Sequence, residues 1–239
     1  MSENKEKEYI KRVPLEIAVM NSDVIAVKQL IGVGVQMGVK LFLIHLACAV
    51  GNLDIVELLI SVNAADVNKV DGDGLTPLLI ACQKGHENIV NLLLNHGVEF
   101  DKPEQDGVTP LYIACEKGHE NIVSLLLRHG ADAKPARADD ITPLYIACER
   151  GDKDVVELLL LHGADPSKDM KKDGVTPLYI ACQEGHEGIV KLLLGHHADV
   201  DQAEEDGVTP LFIACSEGHT NIVNMLVAAG ADVNYVRAD

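Results

Sequence analysis

Five times this chain repeats one phrase, beginning at Thr76, Thr109, Thr142, Thr176 and Thr209, and its second copy reads Thr109-Pro110-Leu111-Tyr112-Ile113-Ala114-Cys115. The starts lie 33, 33, 34 and 33 residues apart. Few folds tolerate such a period. Each unit is one supersecondary element too small to bury its own apolar face, so neighbouring units must stack into an array.

The phrase itself specifies local structure. Thr is a favoured helix N-cap, and the Pro after it occupies the first helical position, where a missing N–H costs nothing. A short helix therefore starts at each Thr-Pro. It stops at Gly85, Gly118, Gly151, Gly185 and Gly218, each nine residues on, where a positive-φ residue ends a helix. A second helix follows through Asn88 to Asn95 and its counterparts, with Ile89, Val90, Leu92, Leu93 and Leu94 as a wide apolar face. Gly97, Gly130, Gly163 and Gly230 end it, with His197 and Asn63 in that slot elsewhere; both tolerate left-handed geometry better than most residues.

Four of the five copies continue as Gly-His and Ile-Val, and the copies go on to a Leu-rich run and usually Gly-Ala-Asp, as in Gly118-His119, Ile122-Val123, Leu125-Leu126-Leu127 and Gly130-Ala131-Asp132. This resembles the ankyrin repeat at nearly every diagnostic slot and in register. Two weaker copies precede the clear ones, one carrying Leu46-Ala47-Cys48, Gly51 and Ile55-Val56, the other Val13-Pro14-Leu15 and Ile17-Ala18-Val19. The resemblance implies an all-α solenoid of stacked antiparallel helix pairs with projecting β-hairpin or loop fingers. Seven repeats start near 13, 42, 76, 109, 142, 176 and 209, forming a single domain over 13–239 behind a charged N-terminal segment, 1–12. Asp-Gly, a hairpin-turn signal, precedes four of the five Thr-Pro pairs; Asp139-Asp140 replaces it before Thr142.

Composition narrows the function classes. Formal charge is −17 and basic residues are scattered, so nucleic acid is repelled and is not an expected partner. Ser2 to Arg12 alternates in charge and is no secretory signal. No stretch reaches the ~20 apolar residues of a membrane span, the most apolar, Val33 to Val50, being broken by Gln36, Lys40 and His45. A soluble, cytoplasmic, reducing setting is expected.

Cys48, Cys82, Cys115, Cys148, Cys182 and Cys215 share one repeat slot. Stacked helices sit roughly 10 Å apart and a disulfide needs Cα atoms within about 7 Å, so each Cys is expected to act as a small buried hydrophobe. Four Cys-x-x-x-His pairs suggest zinc half-sites, but each repeat offers two ligands where zinc needs four. The recurring His is instead expected to bridge the turn between helices by bonding backbone left open at a helix end. His96, His129, His162 and His196 are expected to bond the last carbonyls of the second helix. His-Glu at 86–87, 119–120 and 186–187 lacks the second His of a zinc protease, and no phosphate loop, dinucleotide fingerprint or nucleophile elbow occurs. Enzyme, cofactor and metal are therefore not expected.

Slots that vary between copies are where partner choice can be encoded. After each Cys stand Gln83-Lys84, Glu116-Lys117, Glu149-Arg150, Gln183-Glu184 and Ser216-Glu217, at positions resembling those that ankyrin proteins use for contact on their concave face. The second member changes from basic to acidic along the array, which would orient an elongated partner. Third after each Thr, where the family commonly has His, stand Leu79, Tyr112, Tyr145, Tyr179 and Phe212, an aromatic ladder that either packs inner helices or presents anchors. Finger tips are basic at Lys134-Pro135-Ala136-Arg137 and Lys168-Asp169-Met170-Lys171-Lys172, and acidic at Asp201 to Asp206. The extra residue of the 34-residue period is expected to enlarge the finger at Met170. Expected contact residues thus include Met170, Lys172 and Glu205 with the inner-helix slots.

Arg237-Ala238-Asp239 repeats Arg137-Ala138-Asp139, and the next Thr falls due at 242. An array continuing past 239 is expected, with an apolar last repeat open to self-association. The sequence reads as a non-enzymatic scaffold binding a protein partner through the concave inner-helix face and fingers; the alternative is a regulatory or targeting module of a larger enzyme or channel.

Overall fold

The computed structural model describes residues 15–32, 43–62, 66–101, 103–104, 106–134, 137–170 and 173–234. Residues 1–12, Val13-Pro14, Asn63, Lys172 and Arg237-Ala238-Asp239 lie outside the described residues. The chain forms two compact units, Met1–Glu104 and Gln105–Asp239.

Unit one holds α1 (Leu15–Met20), α2 (Val24–Gly32), α3 (Leu43–Val50), α4 (Leu53–Ser61), α5 (Pro77–Lys84) and α6 (Glu87–Asn95). They pair as α1 with α2, α3 with α4 and α5 with α6, and the pairs stack in two rows, α1-α3-α5 and α2-α4-α6. Unit two holds α7 (Pro110–Lys117), α8 (Glu120–Arg128), α9 (Pro143–Arg150), α10 (Lys153–Leu161), α11 (Pro177–Gln183), α12 (Glu187–Gly195), α13 (Pro210–Ser216) and α14 (Thr220–Ala228). Its inner row is α7-α9-α11-α13 and its outer row α8-α10-α12-α14. No strand occurs among the described residues; the fold is all-α, built of repeated helix pairs.

Each phrase does the local work its chemistry dictates. All five Thr hydroxyls accept from the backbone N–H three residues on, at 3.1–3.2 Å, and all five are buried. The Leu, Ile and Ala of the phrase, with the Ile-Val and Leu run of the second helix, fill the seam between pairs. His197 takes φ 66° and Ser22 φ 56° in slots held by positive-φ Gly in other copies.

The fingers close by tight turns. Arg137 N–H donates to the Ile141 carbonyl at 3.0 Å and Glu204 N–H to that of Val208 at 3.1 Å. Asp140, at φ 63°, does the turning that Gly107, Gly174 and Gly207 do in the neighbouring fingers. In the 34-residue copy Met170 N–H reaches the Val175 carbonyl at 3.1 Å, one residue further round, so the insertion is absorbed at Met170 as expected. Adjacent fingers touch through Ala138 N–H to Asp106 O at 3.1 Å and Glu205 N–H to Asp173 O at 3.0 Å.

Candidate functional site

The aromatic ladder is a packing device before it is anything else. Leu79, Tyr112, Tyr145 and Tyr179 are 3%, 2%, 8% and 9% exposed, whereas Phe212 is 62% exposed. The Tyr hydroxyls nonetheless reach the electrostatics of the face. Burial pushes the Tyr145 phenol up to about 12, helped by the Glu149, Asp173 and Glu184 carboxylates. Tyr179 is raised by burial and by Glu204 and Glu217. Tyr112 is raised by burial, against the opposing hydrogen bond and charge of Arg137.

The slots after each Cys come to the open ends of α5, α7, α9, α11 and α13. Gln83, Glu116 and Gln183 are half-buried, and Lys84, Lys117, Glu149, Arg150, Glu184, Ser216 and Glu217 are exposed. Several are already engaged: Lys117 Nζ lies 2.8 Å from Glu116 Oε2, and Gln183 Nε2 donates to Glu184 Oε1 at 3.1 Å. Met170 is half-buried, not the exposed contact its charged finger suggests, and Glu205 is exposed.

Arg150 requires a structural reading. Three of the four recurring His bond backbone at a helix end, as expected, but in the preceding repeat and not in their own turn; the Nε2 of the fourth, His119, is buried without a hydrogen-bond partner among the described residues. His86 Nε2 lies 3.4 Å from the Ala49 carbonyl, His186 Nε2 3.4 Å from that of Glu149, and His219 Nε2 3.1 Å from that of Gln183, each imidazole donating. The rings lie so close to Gly51, Gly151 and Gly185 that a Cβ there would meet them at 2.5–2.7 Å. In the fifth repeat Asp152 replaces the His, and Arg150 takes over: its Nη1 donates to the Glu116 carbonyl at 3.1 Å, while Nε pairs with Asp152 Oδ2 at 2.8 Å. The guanidinium lies against Gly118 as the imidazoles lie against their glycines. Arg150, expected from sequence to be a contact cation, also ties two repeats together. His96, His129 and His162 bond the carbonyls four residues before them, at 2.8–2.9 Å, as the sequence suggested.

Two residues were missed by sequence reasoning. Arg137 from the next finger lies over the Tyr112 ring, 5.7 Å from its centroid; its Nη1 donates to the phenol oxygen at 3.4 Å and its Nη2 lies 3.1 Å from Asp139 Oδ2. Only its membership of a basic finger marked it. His45 occupies the aromatic slot in the second repeat, buried, with Nε2 2.8 Å from the Lys69 carbonyl; counting back three from Cys48 finds it.

All six thiols are free. Five are buried, and burial raises them, Cys48 and Cys182 to about 12 and Cys82, Cys115 and Cys148 further. Cys215 is exposed, contrary to the expectation of a buried hydrophobe in every copy. No helix of the described residues is long and apolar enough to cross a membrane.

The family model for ankyrin repeats matches this chain three times, over residues 15–104, 97–170 and 166–237. The chain belongs to the ankyrin-repeat family. Ankyrin repeats are a non-catalytic fold that generally mediates protein–protein interaction. Similar proteins include human transient receptor potential cation channel subfamily A member 1, 41% identical over 59 residues, which is 25% of this chain and 5% of that protein. Human ankyrin repeat and SAM domain-containing protein 3 is 40% identical over 65 residues, 27% of this chain and 10% of that protein. The Drosophila melanogaster ankyrin repeat and KH domain-containing protein mask is 38% identical over 57 residues, 24% and 1% respectively. The matched ankyrin segments thus span a tenth or less of these relatives.

Proposed function

We propose that this chain is a non-enzymatic scaffold whose inner-helix face and fingers bind a protein partner. One contrast supports the reading. In each clear repeat the Thr, Leu and Ala of the phrase are buried and the same, while the second slot after Cys is exposed in every copy and differs in charge: Lys84, Lys117, Arg150, Glu184 and Glu217. Apart from Arg150, which ties two repeats, these are residues that the fold does not consume and that are free to choose a partner, and a preformed helical surface limits the ordering cost of association. Free, mostly buried thiols suit a reducing, cytoplasmic setting.

A photo-crosslinking amino acid at Glu149 or Ser216 on the face, against Glu157 or Lys191 on the outer helices, tests this directly. The face positions are expected to trap one protein and the outer ones none. Equal trapping from both would reject the reading. Lys117→Glu is expected to slow association at low salt; Arg150 is unsuited to that test because its loss loosens the stack.

Two subsidiary readings have their own support. Resemblance to a channel subunit many times longer favours a regulatory or targeting module of a larger enzyme or channel; the sequence of the whole gene decides it. Exposed Phe212, Val227 and Val233 favour self-association through the last helix pair; sedimentation at rising concentration tests it, and a constant monomer rejects it.

A further inference from the structure

The rung at Tyr112 is already filled, and what fills it indicates what its neighbours accept. There a guanidinium from the next finger lies over the buried ring, donates to the phenol oxygen and is balanced by Asp139 and Glu116. The finger hydrogen bonds align Arg137 with Met170 and Glu204 in the next two fingers. Counted from the donor of that bond, the equivalent residue is Met170 at Tyr145 and Glu204 at Tyr179, and neither carries a cation.

Those two rungs keep everything else. Tyr145 and Tyr179 are more than nine-tenths buried, and among the described residues neither hydroxyl has a hydrogen-bond partner, nor is either shut away from solvent among the buried unpaired atoms. Carboxylate charge reaches them: Glu149, Asp173 and Glu184 act on the first, Glu204 and Glu217 on the second. Glu184 and Glu217 are exposed and Glu204 half-buried. A buried phenol with an open oxygen and two or three carboxylates acting on it is the arrangement that Arg137 satisfies one rung earlier.

Resting on the reading that this face binds a protein, we propose that the Tyr145 and Tyr179 rungs are seats for arginine side chains of a basic, extended partner segment. The guanidinium stacks on the ring, donates to the phenol oxygen and pairs with the flanking carboxylates. Stacked inner helices lie about 8–10 Å apart, and a polyproline II segment returns the same face every three residues, about 9 Å along. The motif that fits is Arg-x-x-Arg. Lysine fits less well, because its ammonium lacks the planar fork.

The test uses the 239-residue protein and fluorescein-labelled peptides read by anisotropy. The probe is Arg-Pro-Ala-Arg-Pro-Ala-Arg; controls carry Glu or Lys for Arg, or the same three arginines made contiguous. The probe is expected to bind, the Glu peptide not to, and the Lys and contiguous peptides to bind at least threefold more weakly. Tyr145→Phe with Tyr179→Phe retains both rings and is expected to weaken the probe about fivefold to tenfold. Glu204→Arg supplies the missing internal guanidinium, occupies the Tyr179 seat and is expected to weaken it similarly. Arg137→Met vacates a third seat and is expected to tighten it several-fold. Affinity unchanged by both the Phe pair and Glu204→Arg, or equal binding of the contiguous peptide, overturns the proposal. Crosslinking of a protein to the face without probe binding rejects the arginine seats alone; loss of both rejects the underlying reading as well.

Discussion

Arg150 offers the sharpest separation of a structural tie from a contact residue. Arg150→Ala removes the charge-assisted bond to the Glu116 carbonyl at 3.1 Å and the pair with Asp152 at 2.8 Å. A hydrogen bond from a charged donor contributes roughly 1.5–3 kcal/mol when well shielded, and an exposed ion pair about 0.2–1 kcal/mol. The Arg150 side chain is 39% exposed and that of Asp152 31%, so solvent competes for both and a total of about 1–2 kcal/mol is expected. For a unit of this size that is about 3–6 °C in Tm. Because a stacked array gains stability from interfaces between neighbours, the loss should appear as a lower urea midpoint followed by circular dichroism. Adding Asp152→His to Arg150→Ala rebuilds the Gly-His pair of the other repeats and is expected to recover most of the loss, a positive coupling in the double-mutant cycle. A stability unchanged within about 0.3 kcal/mol, together with a weakened partner, would refute the tie and return Arg150 to the contact surface.

Thiol labelling at neutral pH should find one fast site, Cys215, and five more only in denaturant. The rise of Cys48 from 9.0 to about 12 alone cuts its thiolate fraction about a thousandfold; two or more fast sites in the folded protein would contradict the burial. Alkaline stability carries a definite sign. Tyr145 rises from 10.0 to about 12, and Cys48 and Cys182 from 9.0 to about 12, so the folded chain keeps protons that the unfolded chain releases. Their stabilising contribution is complete below pH 9 and lost as pH rises toward 12, on the order of a few kcal/mol by pH 11. Tyr145→Phe should flatten the part between pH 10 and 12, read from urea midpoints; an identical slope refutes it. His197→Gly relieves a left-handed backbone at φ 66° and should raise stability by about 0.5 kcal/mol; a lower Tm would show that the His side chain contributes more than its strain costs.

Residues repeated in every copy were legible because repetition is itself a control. Thr caps, Pro starts, Gly stops and the Ile-Val-Leu seam follow from local chemistry, and the 34-residue copy announced its longer finger. What escaped was contact between copies. The His bond to the preceding carbonyl spans 36 or 37 residues, and no local rule points there. The Arg150 exchange was visible as Asp152 in a His slot, but which side chain compensates depends on three-dimensional reach. Met170 is half-buried, which the charge of its finger did not foretell.

The placement of Arg137 changes where specificity resides. Inner-helix residues furnish each rung with a ring and carboxylates, but one finger residue, Arg137, Met170 or Glu204, decides whether the rung is closed or open. A guanidinium tethered by a few residues competes at millimolar or higher effective concentration. An arginine from a partner seldom displaces it, and a filled rung is silent without altering the helix that carries it. Fingers can then vary without disturbing the seam, their turns resting on a backbone bond, a positive-φ residue and a side-chain bond such as that of Glu204 Oε1, which accepts from Val208 N–H at 3.1 Å. Exchanging Glu204 and Arg137 should therefore move an Arg-x-x-Arg segment one rung along the array and leave Tm within a few degrees. Footprinting the bound probe by hydrogen exchange would register the move, and protection that stayed at Tyr145 and Tyr179 would show that the helices, not the fingers, choose the register.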